Sequence, residues 1–360
     1  MSPNPSFWRG RRVFLTGHTG FKGGWLATWL LSVGARVTGY ALAPGTEPSF
    51  FERCDLAWRL GSEIADIRNR ARLLAAMEMS RPEVVFHLAA QPLVRRSYEV
   101  PALTFETNVI GTVNLLEAVR ALSSVRAVVI VTSDKCYQNR EWPWAYREED
   151  SLGGRDPYSA SKACTEIVAE AYGRSFLQSG CRDVGFATTR AGNVIGGGDW
   201  SADRLVPDAI RALQAEIPLV VRNPSSIRPW QHVLEPLAGY LVLAERLYED
   251  GGRFSGAYNF GPGEDGAITT SEIADLAIRL WGSGSWQAAM PREEAPHEAR
   301  YLRLDAGKAR QILGWRPRLN VAQALELTVA WYREAAKADA DMFAFSGRQI
   351  ALYMELTGSE

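Results

Sequence analysis

Tyr158 and Lys162 stand four residues apart in Tyr158-Ser159-Ala160-Ser161-Lys162, a pairing able to do acid–base chemistry. On a helix the two side chains share a face. An ammonium about 5 Å from a phenol, at an effective dielectric of about 20, favours the phenolate by roughly 3 kcal/mol. That is on the order of two pKa units down from about 10. Tyr158 is therefore expected to serve as a base near neutral pH. The spacing recurs by chance in many helices, and it gains force from Ser133. Ser133 follows an apolar run that should end at the same sheet edge, where a hydroxyl can bond the oxygen that Tyr158 deprotonates.

A second motif precedes both. Thr16-Gly17-His18-Thr19-Gly20-Phe21-Lys22-Gly23 follows one apolar run and opens a helical one. That is the context a dinucleotide-binding loop requires. Gly17 permits the tight turn, Gly20 lets backbone approach a pyrophosphate, and Gly23 lets helix and strand pack closely. The helix start supplies free N–H groups and partial positive charge. Lys22 in the first turn opposes the macrodipole, which an anion there would explain. A bound nicotinamide ring would lower the Tyr158 pKa further, and Lys162 would also hold cofactor ribose hydroxyls. The acidic residue usual at the end of the second strand is missing, since Tyr40-Ala41-Leu42-Ala43 stands there without an arginine. NAD and NADP are therefore not separated by that rule. Asp66 and its neighbour Ile67 follow the third strand and could meet the adenine edge. Asp66 could equally cap a helix before Arg68.

The elements that must position these residues read as alternating strands and helices. Strands are expected at Arg12–Thr16, Ala35–Tyr40, Glu63–Ala65, Val84–His87, Ala127–Thr132 and Val184–Thr189. Helices are expected at Phe21–Val33, Arg68–Met79, Pro101–Leu122 and Tyr158–Gln178. This rhythm implies an α/β fold, a Rossmann-type doubly wound parallel sheet. After about Arg190 glycine, proline and tryptophan become frequent. Short strands (Leu219–Val221, Ala257–Phe260) and helices (Val233–Tyr248, Ser271–Trp281, Val321–Ala336) suggest a smaller C-terminal α/β substrate lobe. The expected division is 1–190 for the dinucleotide and 191–360 for substrate, with a soft boundary and interwoven lobes.

Composition narrows the function. The 360 residues carry 40 Lys and Arg against 41 Asp and Glu, with no long basic run, which argues against a nucleic-acid partner. The most apolar helical stretch, Trp25 to Val33, is far short of the roughly 20 residues a membrane span needs. No signal-peptide core precedes the first strand. Cys54, Cys136, Cys164 and Cys181 are irregularly spaced, as suits free thiols. A cytoplasmic protein is expected. His18, His87, His232 and His297 show no ligand spacing, so no metal is assigned.

Taken in order, His87-Leu88-Ala89-Ala90, Asn108-Val109, Arg190-Ala191-Gly192-Asn193-Val194 and Asn259-Phe260-Gly261-Pro262 resemble the extended short-chain dehydrogenase/reductases over nearly the full chain. Within that superfamily TGHTGFKGGW (16–25), LAAQPLVRRSY (88–98), VTSDKCYQN (131–139), RAGNVIGGGDW (190–200) and RPWQHVLEPL (228–237) are similar to the CDP-glucose 4,6-dehydratases. The resemblance implies NAD, with contacts from Leu88, Ala89, Ala90, Asn108 and Thr132, and loss of water across C5–C6 of a nucleotide-linked glucose. Tyr158 would take the C4 hydroxyl proton and NAD the C4 hydride. The 4-ketone acidifies C5, water leaves from C6, and the hydride returns there. Asp134 is the expected acid and Lys135, standing where related dehydratases have Glu, the expected C5 base. Nearby ammonium groups should lower the Asp134 pKa, which opposes that role. Asn193 and Arg228 match residues near the substrate phosphates, and paired guanidinium bonds suit a diphosphate. Arg204, Trp200, His232 and Tyr301 are weaker substrate candidates. Gln91, Arg95 and Tyr98 follow the fourth strand and could line the sugar pocket. The helices at about 101–122 and 158–178 resemble the pair that makes a homodimer interface. An epimerase or reductase on the same fold, and a non-catalytic dinucleotide-binding regulator, stay open as alternatives.

Overall fold

The computed structural model describes residues 1–178, 184–263, 267–290 and 302–356. Cys181, His297 and Tyr301 lie outside the described residues. Six early strands are β1 Arg12–Thr16, β2 Arg36–Ala41, β3 Gly61–Ile64, β4 Val84–His87, β5 Ala127–Val131 and β6 Gly185–Ala191. Later ones are β7 Val194–Ile195, β8 Leu219–Val221, β9 Ile227–Pro229, β10 Gln231–His232, β11 Gly256–Phe260, β12 Ala267–Thr269 and β13 Trp286–Ala288.

One seven-stranded sheet has the order β11-β6-β5-β4-β1-β2-β3, and every pairing in it is parallel. The chain runs outward from β1 to β3, then returns to β4 beside β1 and proceeds the other way. The crevice beyond the carboxyl ends of β1 and β4 is thus the topological switch point, where ligands of such sheets bind. β11 completes the main sheet by pairing with β6, although it lies beyond the expected division of the chain. The remaining short strands pair as β7 with β10, β8 with β13 and β9 with β12.

Strand alternation explains the two layers. Val13, Leu15, Val84, Phe86, Val129 and Val131 enter one core with the first long helix, Phe21–Ser32, and the C-terminal helices. Phe14, Val85, Val128 and Ile130 enter the other with Leu73, Leu115 and Leu116. Successive strand residues point to opposite faces, so near-continuous apolar strands need both faces covered. Five tryptophans (Trp8, Trp25, Trp29, Trp315, Trp331) are wholly buried in the first core. The C-terminal helix Met342–Glu355, not foreseen from the sequence, packs there through Ile350 and Tyr353.

The expected helix 101–122 is present but interrupted. Pro101–Phe105 and Gly111–Ala121 are α-helical, and Glu106–Ile110 between them is a π-turn. Likewise Pro157–Tyr172 ends in a π-turn, Gly173–Leu177. Such turns recur at functional sites, and the first contains Asn108.

Candidate active site

Five loops meet at the carboxyl edge of the sheet. The first is the glycine turn after β1. Gly17 has φ +78°, and a Cβ there would lie 2.7 Å from Ala89 N and 2.8 Å from the Leu88 carbonyl carbon. At Gly23 a Cβ would run into the Gly17 carbonyl. Only glycine lets these backbones meet. Gly20 caps the helix Phe21–Ser32 without a side-chain bond, leaving its first N–H groups open to an anion. These features fit the pyrophosphate of a dinucleotide.

The side chains of this loop behave differently from expectation. The His18 ring is wholly buried, its Nε2 is 2.8 Å from Ser62 Oγ, and it packs edge-on against Phe51. Burial lowers its pKa to about 4, so it is neutral. Gly39 makes room for it, since a Cβ there would strike the ring. Thr19 Oγ1 donates to the Leu42 carbonyl, tying the turn to the end of β2. Phe21 lies under the turn near Gly196. Lys22, which opposes the dipole at the helix start, has its ammonium buried. Its Nζ lies 5.8 Å from the Tyr240 ring centroid, and Arg204, Lys162 and Asp134 all act on its charge. Burial, aided by the two cations, lowers its pKa to about 8.

The loop after β4 leans on Thr16, whose Oγ1 accepts from Leu88 N and Ala89 N, both at 3.1 Å. Leu88, Ala89 and Ala90 are partly exposed toward the crevice. His87 joins Thr16 at 2.7 Å and Thr112 at 3.0 Å, a neutral pin between β1, β4 and the helix behind them. Two expected ligand contacts are engaged internally. Gln91 donates to the Leu93 carbonyl and to Thr104 Oγ1, and accepts from Leu93 N. Asn108 accepts from Gln91 N and donates to the Gln91 carbonyl and to Ser161 Oγ. Their amides therefore order the loop and hold it to the catalytic helix. Asp66 is gripped by Arg68, with Nη2–Oδ2 at 2.7 Å, and Arg68 also reaches Glu106 at 2.9 Å. The helix cap is Asn69, not Asp66. Ile67 is buried under Gly111.

The third and fourth parts carry the acid–base groups. Asp156 caps the helix Pro157–Tyr172 by accepting from Ser159 N at 2.9 Å, with Pro157 in the first turn. Both residues are strong helix starters, which is why Tyr158 begins the helix. Gly154 packs so closely on Ser159 that a Cβ there would overlap it. Tyr158, Lys162, Ser133 and Asp134 are all buried, each with at most 8% exposure. Ser133 donates to Asp134 Oδ1 at 3.0 Å and accepts from Lys135 N at 3.2 Å. The Ser133 hydroxyl is also near enough to the Tyr158 phenol to favour its ionised form. Lys162 Nζ donates to the Val131 carbonyl at 3.2 Å.

Electrostatics revise one expectation and resolve another. Burial pushes the Tyr158 phenol up to about 12, outweighing the influence of the Ser133 hydroxyl and the Arg204 charge, so the four-residue spacing alone does not make it acidic. Burial also lowers Lys162 to about 8. Asp134 is raised by burial, which wins against Lys135, Ser133 and Arg228, so this acid holds its proton more firmly than an ordinary carboxylic acid. Its Oδ2 would stand 3.3 Å from a Cβ at Gly192, a contact that glycine keeps clear. Lys135 is exposed.

The fifth part comes from residues beyond β6. Asn193 is half-buried between β6 and β7, and Arg228 on β9 is half-buried with its charge acting on Asp134. Arg204 Nη1 pairs with Asp199 at 2.8 Å, and its charge reaches both Tyr158 and Lys22. Arg95 is exposed and pairs with Asp203 at 3.1 Å, which Arg222 also binds at 2.7 Å. Trp200 packs edge-on against Trp331, and His232 is wholly buried.

Sequence reasoning missed a buried ion pair beneath the site. Arg190 Nη2 meets Glu166 Oε2 at 2.8 Å and Arg190 Nε meets Oε1 at 2.9 Å. Thr132, expected to touch cofactor, instead donates its hydroxyl to Glu166 Oε1. Glu166 follows Lys162 by four residues, so helical spacing alone could have drawn attention to it.

A sequence profile of the GDP-mannose 4,6 dehydratase family matches residues 14–328. A CDP-glucose 4,6-dehydratase of Salmonella typhimurium is 51% identical over 98% of both chains. A UDP-glucose 4-epimerase of Mycolicibacterium smegmatis is 26% identical over 91% of this chain and all of its own. A solved dTDP-glucose 4,6-dehydratase double mutant from Streptomyces venezuelae, with NAD, is 27% identical. It superposes with a TM-score of 0.74, covering 90% of this chain and 97% of that one.

Proposed function

Because this chain belongs to the GDP-mannose 4,6 dehydratase family, we propose that it dehydrates CDP-glucose to the 4-keto-6-deoxy sugar nucleotide. It is a sugar-nucleotide 4,6-dehydratase, a hydro-lyase that uses NAD. The observation that carries this reading is a buried acid, Asp134, hydrogen-bonded to Ser133, whose hydroxyl also acts on the Tyr158 phenol. An oxidation alone needs Tyr158, Ser133 and Lys162. Asp134 gives the site a carboxyl whose proton burial helps retain and which can help a C6 hydroxyl depart as water.

Gly17, Gly20, Gly23 and the open helix start would hold the NAD pyrophosphate, and Lys162 its ribose hydroxyls. When bound, NAD supplies hydride removal at C4 and hydride return at C6. Ser133 orients the C4 oxygen, Tyr158 takes its proton, and Lys135 takes the C5 proton. Asp134 then protonates the departing C6 hydroxyl. Arg228, Arg204 and Asn193 face the cleft from beyond β6 and would meet the diphosphate. On this reading residues from about 191 onward, apart from β11, form the substrate lobe. Incubation with CDP-glucose beside UDP-, dTDP- and GDP-glucose tests it. The base-induced absorbance of a 4-keto-6-deoxy sugar should arise with CDP-glucose, and its absence overturns the assignment.

Lys135→Met should leave NAD and sugar-nucleotide binding within a few-fold and stop exchange of the C5 hydrogen with solvent, read by NMR in deuterated water. Exchange at the parental rate would remove Lys135 from the base role.

The assembly proposed is a homodimer through the helices near 101–122 and 158–178, with the protein in the cytoplasm. Ile110, Ile167 and Phe176 on these helices are 45–57% exposed, and exposed apolar surface of this kind marks association sites. Cys54, Cys136 and Cys164 are free thiols, as a reducing compartment allows. Among the described residues no helix is long and apolar enough to cross a membrane. Ile167→Lys should shift the mass in sedimentation from dimer to monomer, and an unchanged dimer removes this interface.

A further inference from the structure

The buried pair beneath the site has a geometry that structural filling alone does not require. Both Glu166 oxygens are fully engaged. Oε1 takes Thr132 Oγ1 and Arg190 Nε, and Oε2 takes Thr188 Oγ1 at 2.6 Å and Arg190 Nη2. The remaining Arg190 nitrogen, Nη1, reaches Tyr137 OH at 2.8 Å and the Glu148 carbonyl at 2.9 Å. Tyr137 in turn donates to Asn259 on β11. One carboxylate thus gathers the catalytic helix, β5, β6, β11 and the segment after Lys135.

Its place on the helix gives this network a chemical direction. Lys162 lies one turn before Glu166 and donates to the carbonyl of Val131. Glu166 binds the hydroxyl of Thr132, the residue just after β5 and the one before Ser133. Two side chains a turn apart therefore staple the helix to the strand end that leads into Ser133-Asp134-Lys135. We propose that Glu166 is a positioning residue for the reaction, fixing Lys162 and the Ser133–Lys135 turn in register and supplying the negative charge that keeps the Lys162 ammonium protonated. This rests on the reading of Tyr158 and Lys162 as the oxidising pair.

The charged and titratable groups facing Lys162 are few. Glu166 on its own helix is the favourable charge, while Cys136 on the turn after β5 also faces Lys162 but is kept a neutral thiol by burial. Lys22 from the first long helix opposes it. His87 on β4 is held neutral by burial and by Lys162 itself. Burial already lowers Lys162 to about 8, so loss of the Glu166 charge moves its deprotonation to still lower pH.

The test uses the NAD-loaded enzyme with Glu166→Gln. The alkaline limb of the kcat profile should move down by about one unit, with KM within a few-fold of the parent. A double variant, Glu166→Gln with Arg190→Gln, leaves no buried charge without a partner and should show the same shift. A limb that stays at the parental pH in a folded variant overturns the proposal. Should neither variant fold, Thr132→Val decides. It removes one anchor and keeps the charge, so kcat should fall about tenfold or more with the limb unmoved, and parental kcat refutes the positioning role. Tyr158→Phe serves as the control for the underlying reading. If it stays active, that reading fails; if it is inactive while Glu166→Gln is normal, only the present proposal fails.

Discussion

Tyr158→Phe should lower kcat by on the order of 10³-fold while NAD and CDP-glucose binding change by no more than a few-fold. Phenylalanine keeps the ring and its packing at the head of the helix. What it removes is the phenol oxygen beside Ser133 that is placed to accept a proton from C4. Acid–base groups of this kind contribute about 10²- to 10⁴-fold, so a loss in that range identifies the phenol as the base. Burial holds the Tyr158 pKa at about 12 even with the Arg204 charge acting on it, so the oxidised nicotinamide ring would have to supply the further positive charge that makes it a base at neutral pH. Lys162, one helical turn along, has its pKa lowered by burial to about 8. Its ammonium is present below that value and lost above it, so parental kcat should decline on the alkaline side. Stopped-flow rates from pH 6 to 10 check this, and a kcat still rising past pH 9.5 contradicts it.

Asp134→Asn should be nearly as damaging, with a different signature. The amide preserves shape and can still bond Ser133, but it cannot donate a proton to a departing hydroxyl. Product formation should fall by about 10²- to 10⁴-fold. Removal of the C5 proton does not need Asp134, so exchange of that hydrogen with deuterated water should persist. NMR of the recovered sugar nucleotide reads both quantities in one sample. Loss of exchange together with product would reassign Asp134 to the C5 step.

The sheet and its switch point were legible because strand and helix runs alternate with the right lengths, and the glycine turn because only glycine tolerates φ +78° against the Leu88–Ala89 backbone. Ser133, Asp134, Tyr158 and Lys162 were legible as residue types at strand and helix ends, and the fold brings them together. Other features needed three dimensions. Nothing local says that the Gln91 and Asn108 amides bond each other's loops, or that Thr132 faces inward to Glu166. Lys22 looked like an unfavourable charge at a helix start, and only the packed lobe beyond β6 shows its ammonium among Arg204, Lys162 and Asp134. The acidity of Tyr158 was misjudged for a physical reason. Helical spacing reports a nearby cation, whereas burial depends on every segment that covers the site. Burial similarly reversed the expectation for Asp134, this time in favour of its proposed role.

The central claim is that a hydrogen taken from C4 of the glucosyl ring is delivered to C6 of the same molecule. CDP-glucose carrying deuterium at C4 tests this directly, with the product analysed by NMR and mass spectrometry. The label should appear at C6 of the 4-keto-6-deoxy sugar, with a solvent-derived hydrogen at C5. Label lost to solvent, or found again at C4 of a sugar that keeps its 6-hydroxyl, would contradict the mechanism.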